Sequence, residues 1–183
     1  MYEYLLAGLP ELRASDKAPM TMEALREELK VCLTEQDQEQ LRLLDHHAVY
    51  GAHPFIREWY RFERVLNNTL VIAICRHHGL DIRLHTLSSL ESEDPMTEQF
   101  NDELAQVSKI DDLYERERAI DNLRFAWLEE ATKLKNFSFE NVVAYYLELQ
   151  MLCRWDKLTT EEGEKVFREI VQEMKKGIKL DTI

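Results

Sequence analysis

The feature that most constrains this fold is a set of apolar stripes with helical spacing, interrupted by few glycines or prolines. The longest stripe has apolar side chains every three or four residues: Phe55, Trp59, Phe62, Leu66, Leu70, Ala73 and Ile74. One face of a long amphipathic helix shows this spacing. The 183 residues include only 5 Gly and 4 Pro, which is too few for a turn-rich β-sandwich or barrel. The sequence therefore predicts an all-α fold.

Further stripes and capping signals predict an elongated bundle of about seven helices. The predicted helices run from Thr21 to about Leu33, Thr34 to near Gly51, His53 to Gly79, Thr97 to about Val107, Asp111 or Asp112 to Asn136, Ser138 to Trp155, and Thr159 to Gly177. The fifth of these has a stripe that runs from Leu113 to Leu134. The chain is predicted to be a single helical domain, residues 1–183, and a boundary between two lobes, if there are two, falls near residues 86–96.

The N-terminal residues give a less regular pattern. Residues 2–9 fit either a short strand or a helical turn. Pro10 and Pro19 bracket Glu11 to Ala18, and each proline disfavours helix at the residue before it. The sequence therefore predicts a short extended N-terminal segment.

The net charge of −12 limits the classes of partner. Nucleic acids and anionic membranes attract basic surfaces, so we expect neither nucleic-acid binding nor direct membrane insertion. No stretch approaches the roughly 20 apolar residues of a membrane span. The three cysteines, Cys32, Cys75 and Cys153, lie far apart and suit free thiols in a reducing compartment. A cytoplasmic location is predicted, with peripheral association with a membrane complex as an extension of it.

No motif for chemistry emerges from the sequence. Gly-x-Ser-x-Gly, His-Glu-x-x-His and phosphate-binding glycine loops are all missing, so we predict no catalytic residues and no cofactor. Two histidine pairs, His46–His47 and His77–His78, lie at predicted helix ends. Adjacent helical residues point about 100° apart, so neither pair is well placed to chelate one metal ion. We predict no metal site.

Polar residues interrupt the apolar helix between 54 and 79. Trp59, Glu63, Arg64, Asn67 and Asn68 form the candidate site, and two interpretations of it stay open. They could anchor a buried polar network, because buried polar groups need partners. The alternative, which has less support, is that they form part of an interface with another protein.

Charge is unevenly distributed along the chain. Arginines cluster in residues 53–85, whereas residues 86–130 carry 13 acids against 4 bases, a net charge of 4 − 13 = −9. The two stretches could present opposite potentials on two lobes. Pairing between adjacent helices is the favoured explanation, and local pairs of Arg57 and Arg61 with Glu58 and Glu63 are also expected.

Several stretches together resemble a known group of bacterial proteins. They are Tyr2–Leu12, Leu25–Leu44, Trp59–Leu70, Ile120–Glu130, and Val143–Phe167 with its Arg154-Trp155 pair. This pattern resembles an uncharacterised bacterial family encoded with V-type ATP synthase subunits. That family is in turn similar to a short form of the C-type (or d-type) helical socket protein of V/A-type ATPases.

The resemblance implies a role without catalysis. The socket protein sits between the central shaft and the membrane rotor ring, so the implied partners are V-type ATP synthase shaft and membrane-ring subunits. The implied function is that of an adaptor or accessory subunit in ion-transport-coupled ATP synthesis or hydrolysis. This chain is shorter than a full socket protein. The alternatives are a free-standing helical interaction or assembly factor and, with less support, a metal-binding helical enzyme.

Overall fold

Helices account for all regular secondary structure in the part of the chain that the structure, a computed structural model, describes: residues 2–82 and 102–158. Six helices have defined bounds: α1 (Tyr2–Gly8), α2 (Met22–Cys32), α3 (Glu35–Asp45), α4 (Pro54–His78), α5 (Leu113–Thr132) and α6 (Phe139–Lys157). Residues 102–107 are helical as well. The predicted all-α class with about seven helices is confirmed.

Four predictions fall outside the described residues. They are the lobe boundary near 86–96, the helix start at Thr97, the last helix after Thr159 and its end at Gly177.

Several helices begin at the capping residues that were predicted from the sequence. The hydroxyl of Thr21 accepts a hydrogen bond from the Ala24 N–H, and that of Thr34 accepts one from the Asp37 N–H. Each cap satisfies a backbone donor that has no partner within the first turn of its helix. Gly79 ends α4 in the left-handed conformation, with φ of 67°. This backbone region favours glycine, and the predicted end of α4 is correct.

The N-terminus differs in part from the prediction. Residues 2–8 form a helix, so the strand alternative is wrong. Burial of Leu5 and a 2.9 Å hydrogen bond from the Tyr2 hydroxyl to Asp37 Oδ2 attach α1 to the body of the protein. The stretch from 11 to 18 is non-helical, as expected between two prolines, and contains a turn in which the Asp16 N–H donates to the Arg13 carbonyl at 2.9 Å.

The apolar stripe predicted for the fifth helix is buried only in its middle part. Ile120 is buried, whereas Leu113 is 67% exposed and Leu134 is 90% exposed. Leu113 is the first residue of α5, and Leu134 lies beyond its end at Thr132. Neither has a helix turn on both sides to bring it onto the buried face.

The core lies around α6, which packs against α1, α2 and α5. Its buried side chains occupy more than one face of the helix: Phe139, Val142, Val143, Ala144, Tyr146, Leu147, Leu149 and Leu152. Helices α4 and α5 meet through aromatic rings. Trp127 stacks on Phe62 with ring centroids 4.7 Å apart, and Trp59 lies 5.7 Å from Trp127. Among the described helices, none is both long and apolar enough to cross a membrane.

One carboxyl group on α6 sits in surroundings that disfavour its charge. Burial, reinforced by the negative charge of Glu129, raises the pKa of Glu148 from 4.5 to about 7. The folded state therefore holds this proton over a pH range in which the unfolded chain has released it. The contribution of Glu148 to stability is fully present below its unfolded pKa and is lost as pH rises towards 7.

We predict that Glu148→Gln is more stable than the parent at pH 8, by no more than about 3 kcal/mol, because it removes an unfavourable buried charge. At pH 4.5 the difference should nearly vanish, since the carboxyl is then neutral in the folded protein. Urea denaturation at both pH values measures the free energy of unfolding. Glu130→Gln is the matched control, because Glu130 is exposed and already pairs with Lys133 at 3.2 Å. If the free energy of unfolding changed by the same amount between pH 4.5 and pH 8 in Glu148→Gln and in the parent, the prediction would be contradicted.

Candidate functional site

The Asp121 carboxylate is the centre of a polar cluster that joins three helices. It is buried, with 3% of the residue exposed, yet both oxygens accept hydrogen bonds. Arg124 Nη1 donates to Oδ1 at 2.8 Å, while Arg154 Nη2 and Trp155 Nε1 donate to Oδ2 at 2.6 and 2.7 Å. Charged donors and acceptors form the stronger class of hydrogen bond. The carboxylate therefore holds the C-terminal end of α6 against α5.

Arg124 extends the cluster to α4. Its Nε and Nη2 atoms donate to the two carboxylate oxygens of Glu63 at 2.7 and 3.0 Å, a bidentate pair. The Arg124 side chain is only 14% exposed, and that of Glu63 is 21% exposed. Burial lowers the pKa of Arg124, but its bonds to Glu63 and Asp121 outweigh burial and hold that pKa above its ordinary value. The guanidinium thus stays charged and connects α4 to α5. We call Glu63, Asp121, Arg124, Arg154 and Trp155 the ionic cluster.

The indole ring of Trp155 links this cluster to the N-terminal segment. The guanidinium carbon of Arg118 lies 5.0 Å from the ring centroid, a cation–π distance, and the Tyr114 ring meets the indole edge-on at 5.0 Å. Arg118 Nη1 also donates to the Ala14 carbonyl at 3.3 Å. The segment between α1 and α2 is therefore held against the start of α5 and the end of α6.

A cleft of about 680 Å³ opens beside the ionic cluster and is bordered by α3, α4, α5 and α6. Glu63, Asp121, Arg124 and Arg154 line one part of it, and Asp45 lies on the α3 side. The exposed residues Asn67 and Gln150 also border the opening. The cleft is open to solvent and has both aromatic and charged walls. We take it as the candidate binding surface.

A second polar arrangement supports the α3 side of the cleft. The buried hydroxyl of Tyr146 donates to Asp45 and accepts from Arg26 Nε, each at 2.9 Å. Burial and the hydrogen bond to Asp45 raise the pKa of Tyr146 to about 12. Tyr60 donates to the Leu44 carbonyl at 2.6 Å. The Tyr146 bonds connect α2 and α3 to α6, and the Tyr60 bond connects α4 to the end of α3.

The five residues predicted from the sequence do not form one group. Trp59, Glu63 and Asn67 line the cleft, whereas Arg64 and Asn68 are not among its lining residues. Arg64 and Asn67 are exposed, and Asn68 is half-buried. Glu63 takes part in a buried polar network, and Trp59 packs in the aromatic cluster.

The pairing of charges also differs from the expected pattern. Glu63 pairs with Arg124 of α5, so the helix with many arginines supplies the carboxylate and the acidic stretch supplies the arginine. Arg57 donates to the Ala52 carbonyl at 2.9 Å. This pair joins neighbouring helices in the direction opposite to the predicted one. Residues 83–101, which include part of the acidic stretch, lie outside the described residues, so the general pairing of the two stretches stays a prediction.

Sequence reasoning missed Asp121, Arg124, Arg154 and Trp155. The sequence does contain a signal for two of these residues. Asp121 and Arg124 lie within one helical turn, among apolar residues that face the core. A charged pair in such a position needs buried partners. The sequence does not show which helix supplies them.

The chemistry of the cluster is that of a structural connection. Both oxygens of Asp121 and both oxygens of Glu63 are engaged by donors within the protein. Among residues 2–82 and 102–158, no group of three or more His, Cys, Asp or Glu side chains is arranged to hold a metal ion. His47 lines the cleft with its ring 5.9 Å from Tyr60, and the rings of His77 and His78 lie 4.9 Å apart.

We predict that Asp121→Asn lowers the free energy of unfolding by about 3 kcal/mol. The amide NH2 cannot accept a hydrogen bond, so at least one buried donor from Arg124, Arg154 or Trp155 loses its partner. Glu39→Gln is the control, because the Glu39–Arg42 pair is exposed and its loss should cost less than about 1 kcal/mol. Urea denaturation followed by circular dichroism compares the two. Equal losses in both variants would show that the cluster does not hold the helices together.

Comparison with known proteins identifies one family. No curated protein and no solved structure matches the chain. The model of a family described as "Protein of unknown function (DUF2764)" matches residues 44–178. This range contains the whole ionic cluster and most of the chain. The chain belongs to the DUF2764 family.

Proposed function

We propose that this protein is a non-catalytic adaptor or accessory subunit of a V-type ATP synthase, linking the central shaft to the membrane rotor. The observation that carries the proposal is the location of the ionic cluster. Its five residues all fall within three of the stretches that carry the resemblance to the ATP synthase-associated proteins: 59–70, 120–130 and 143–167. Five residues of those stretches thus form the contacts that hold α4, α5 and α6 together.

A part that transmits force needs helices that keep their relative positions. Apolar packing alone is weakly directional, whereas bidentate and charge-assisted hydrogen bonds fix both distance and orientation. Glu63 with Arg124 fixes α4 on α5, and Asp121 with Arg154 fixes α5 on α6. The aromatic contact of Phe62 with Trp127 lies between the same helices, α4 and α5. This combination suits a stiff body placed between two larger parts.

The surface supports association with protein. A chain with a net charge of −12 is attracted to basic protein surfaces. The cleft offers the partly exposed side chains of Tyr60 and Met151 together with polar groups, and both residue types are enriched at protein interfaces. We place the contact with the partner at this cleft.

The first test is co-purification from the native organism. A tagged copy of the chain, extracted with a mild detergent, should recover shaft and membrane-ring subunits of the V-type ATP synthase, identified by mass spectrometry. An intact, coupled ATP synthase purified from a strain without this chain would overturn the proposal. Recovery of a stable complex that contains no ATP synthase subunit would instead support a free-standing interaction or assembly factor.

The second test concerns the cleft. We predict that Asn67→Arg and Gln150→Arg reduce the recovery of the ATP synthase subunits, because each places a bulky charge at the mouth of the cleft. Both residues are exposed, so the free energy of unfolding should change by less than about 0.5 kcal/mol. Gln36→Arg is the matched control, since Gln36 is exposed at the start of α3 and does not line the cleft. Unchanged recovery with both cleft variants would place the contact elsewhere.

A further inference from the structure

A second pocket, separate from the cleft, lies beside α6 near its N-terminal half. Its volume is about 290 Å³, far more than one water molecule needs. Leu6 of α1 and Ala144 of α6 form apolar parts of the wall, and Phe137 lies at the connection between α5 and α6. The pocket is therefore bounded by three elements that the core holds in place.

Two polar groups in this pocket have no partner within the described residues. The Tyr145 hydroxyl oxygen is buried and makes no hydrogen bond. The half-buried Glu148 carboxyl makes no hydrogen bond and no ion pair, and burial is the main cause of its raised pKa. Buried polar groups in native proteins are nearly always hydrogen-bonded. Both residues line the same pocket and are three positions apart on one side of α6, but the Tyr145 hydroxyl is sealed from solvent, so the Glu148 carboxyl is the polar group of this pair that a ligand reaches.

The charges that face these groups are mostly negative. Burial, reinforced by the charges of Glu28 on α2 and of Glu148, raises the pKa of Tyr145, and the charge of Glu129 on α5 adds to the effect of burial on the pKa of Glu148. Lys135 is the cation among the lining residues, but it pairs with Glu140 at 3.2 Å. The pocket thus combines an unpaired, half-buried carboxyl with apolar walls in a negative field.

We propose that this pocket binds the charged end of a lysine or arginine side chain from a partner protein. The ammonium or guanidinium N–H groups donate to the Glu148 carboxylate, which lines the pocket. The aliphatic stem packs against Leu6 and Ala144, as long cationic side chains commonly do on apolar surface. Binding removes the cost of an unpaired buried charge, so the site favours a cation over a neutral group of equal size.

The test uses the full chain and small probes at pH 8, where Glu148 is mostly ionised. Calorimetric titration with n-butylamine hydrochloride and with butylguanidine hydrochloride should show saturable binding. The neutral isostere 1-butanol should bind about tenfold more weakly or not at all, because it lacks the charge. Equal binding of 1-butanol would overturn the proposal.

Variants locate the site. Glu148→Gln should weaken binding of butylamine by about tenfold, whereas Tyr145→Phe should bind as the parent does, because the Tyr145 hydroxyl is not accessible from the pocket. Glu130→Gln is the matched control and should bind as the parent does, because Glu130 is an exposed acid on α5 and does not line the pocket. Since Glu148→Gln removes an unfavourable buried charge, loss of binding by this variant does not reflect unfolding. Parent-like affinity in Glu148→Gln would overturn the assignment.

The source of the cation is tested with a blocked Gly-Gly-Lys-Gly-Gly peptide and its acetyl-lysine counterpart. The lysine peptide should bind at least as tightly as butylamine, and the acetylated peptide should bind about tenfold more weakly. If butylamine binds and the lysine peptide does not, the pocket takes a free amine and the assignment to a partner side chain is wrong. This test does not depend on the identity of the partner.

Discussion

A single buried carboxylate determines how the C-terminal half of the described structure is arranged. Asp121 is almost fully buried, and a lone ion in that position would be strongly unfavourable. Arg124, Arg154 and Trp155 surround it with donors, and Glu63 balances the charge of Arg124 from a third helix. Two acids and two bases make the cluster neutral in total. Because each member depends on the others for a partner, α4, α5 and α6 have one favourable arrangement and few alternatives.

The N-terminal half is held by similar means on a smaller scale. Tyr146 of α6 connects Arg26 of α2 to Asp45 of α3, and Tyr2 of α1 bonds to Asp37 at the start of α3. Apolar packing supplies most of the burial, since α6 lies against α1 and α2 through aliphatic and aromatic side chains. The polar bonds add direction to contacts that would otherwise permit sliding of one helix along another.

The sequence predicted the all-α class and several helix boundaries, but it did not predict which helices pair through their polar side chains. Local signals at Thr21, Thr34 and Gly79 placed helix boundaries correctly, because caps depend on neighbouring residues alone. The aromatic stripe of α4 correctly identified a buried face. The pairing of Glu63 with Arg124 spans 61 positions, and no local rule selects that arginine over Arg61 or Arg64. Local periodicity cannot rank such alternatives, since the choice depends on how α4 and α5 pack in three dimensions.

Two helices that pack on α6, α1 and α2, lie outside the range that matches the family. The region shared with the family begins at residue 44, yet α1 and α2, which cover part of the central helix, lie before it. The shared segment therefore does not include the two helices that cover this face of α6. A relative with a different N-terminal region must shield the equivalent face of its own central helix with another segment or with a bound protein.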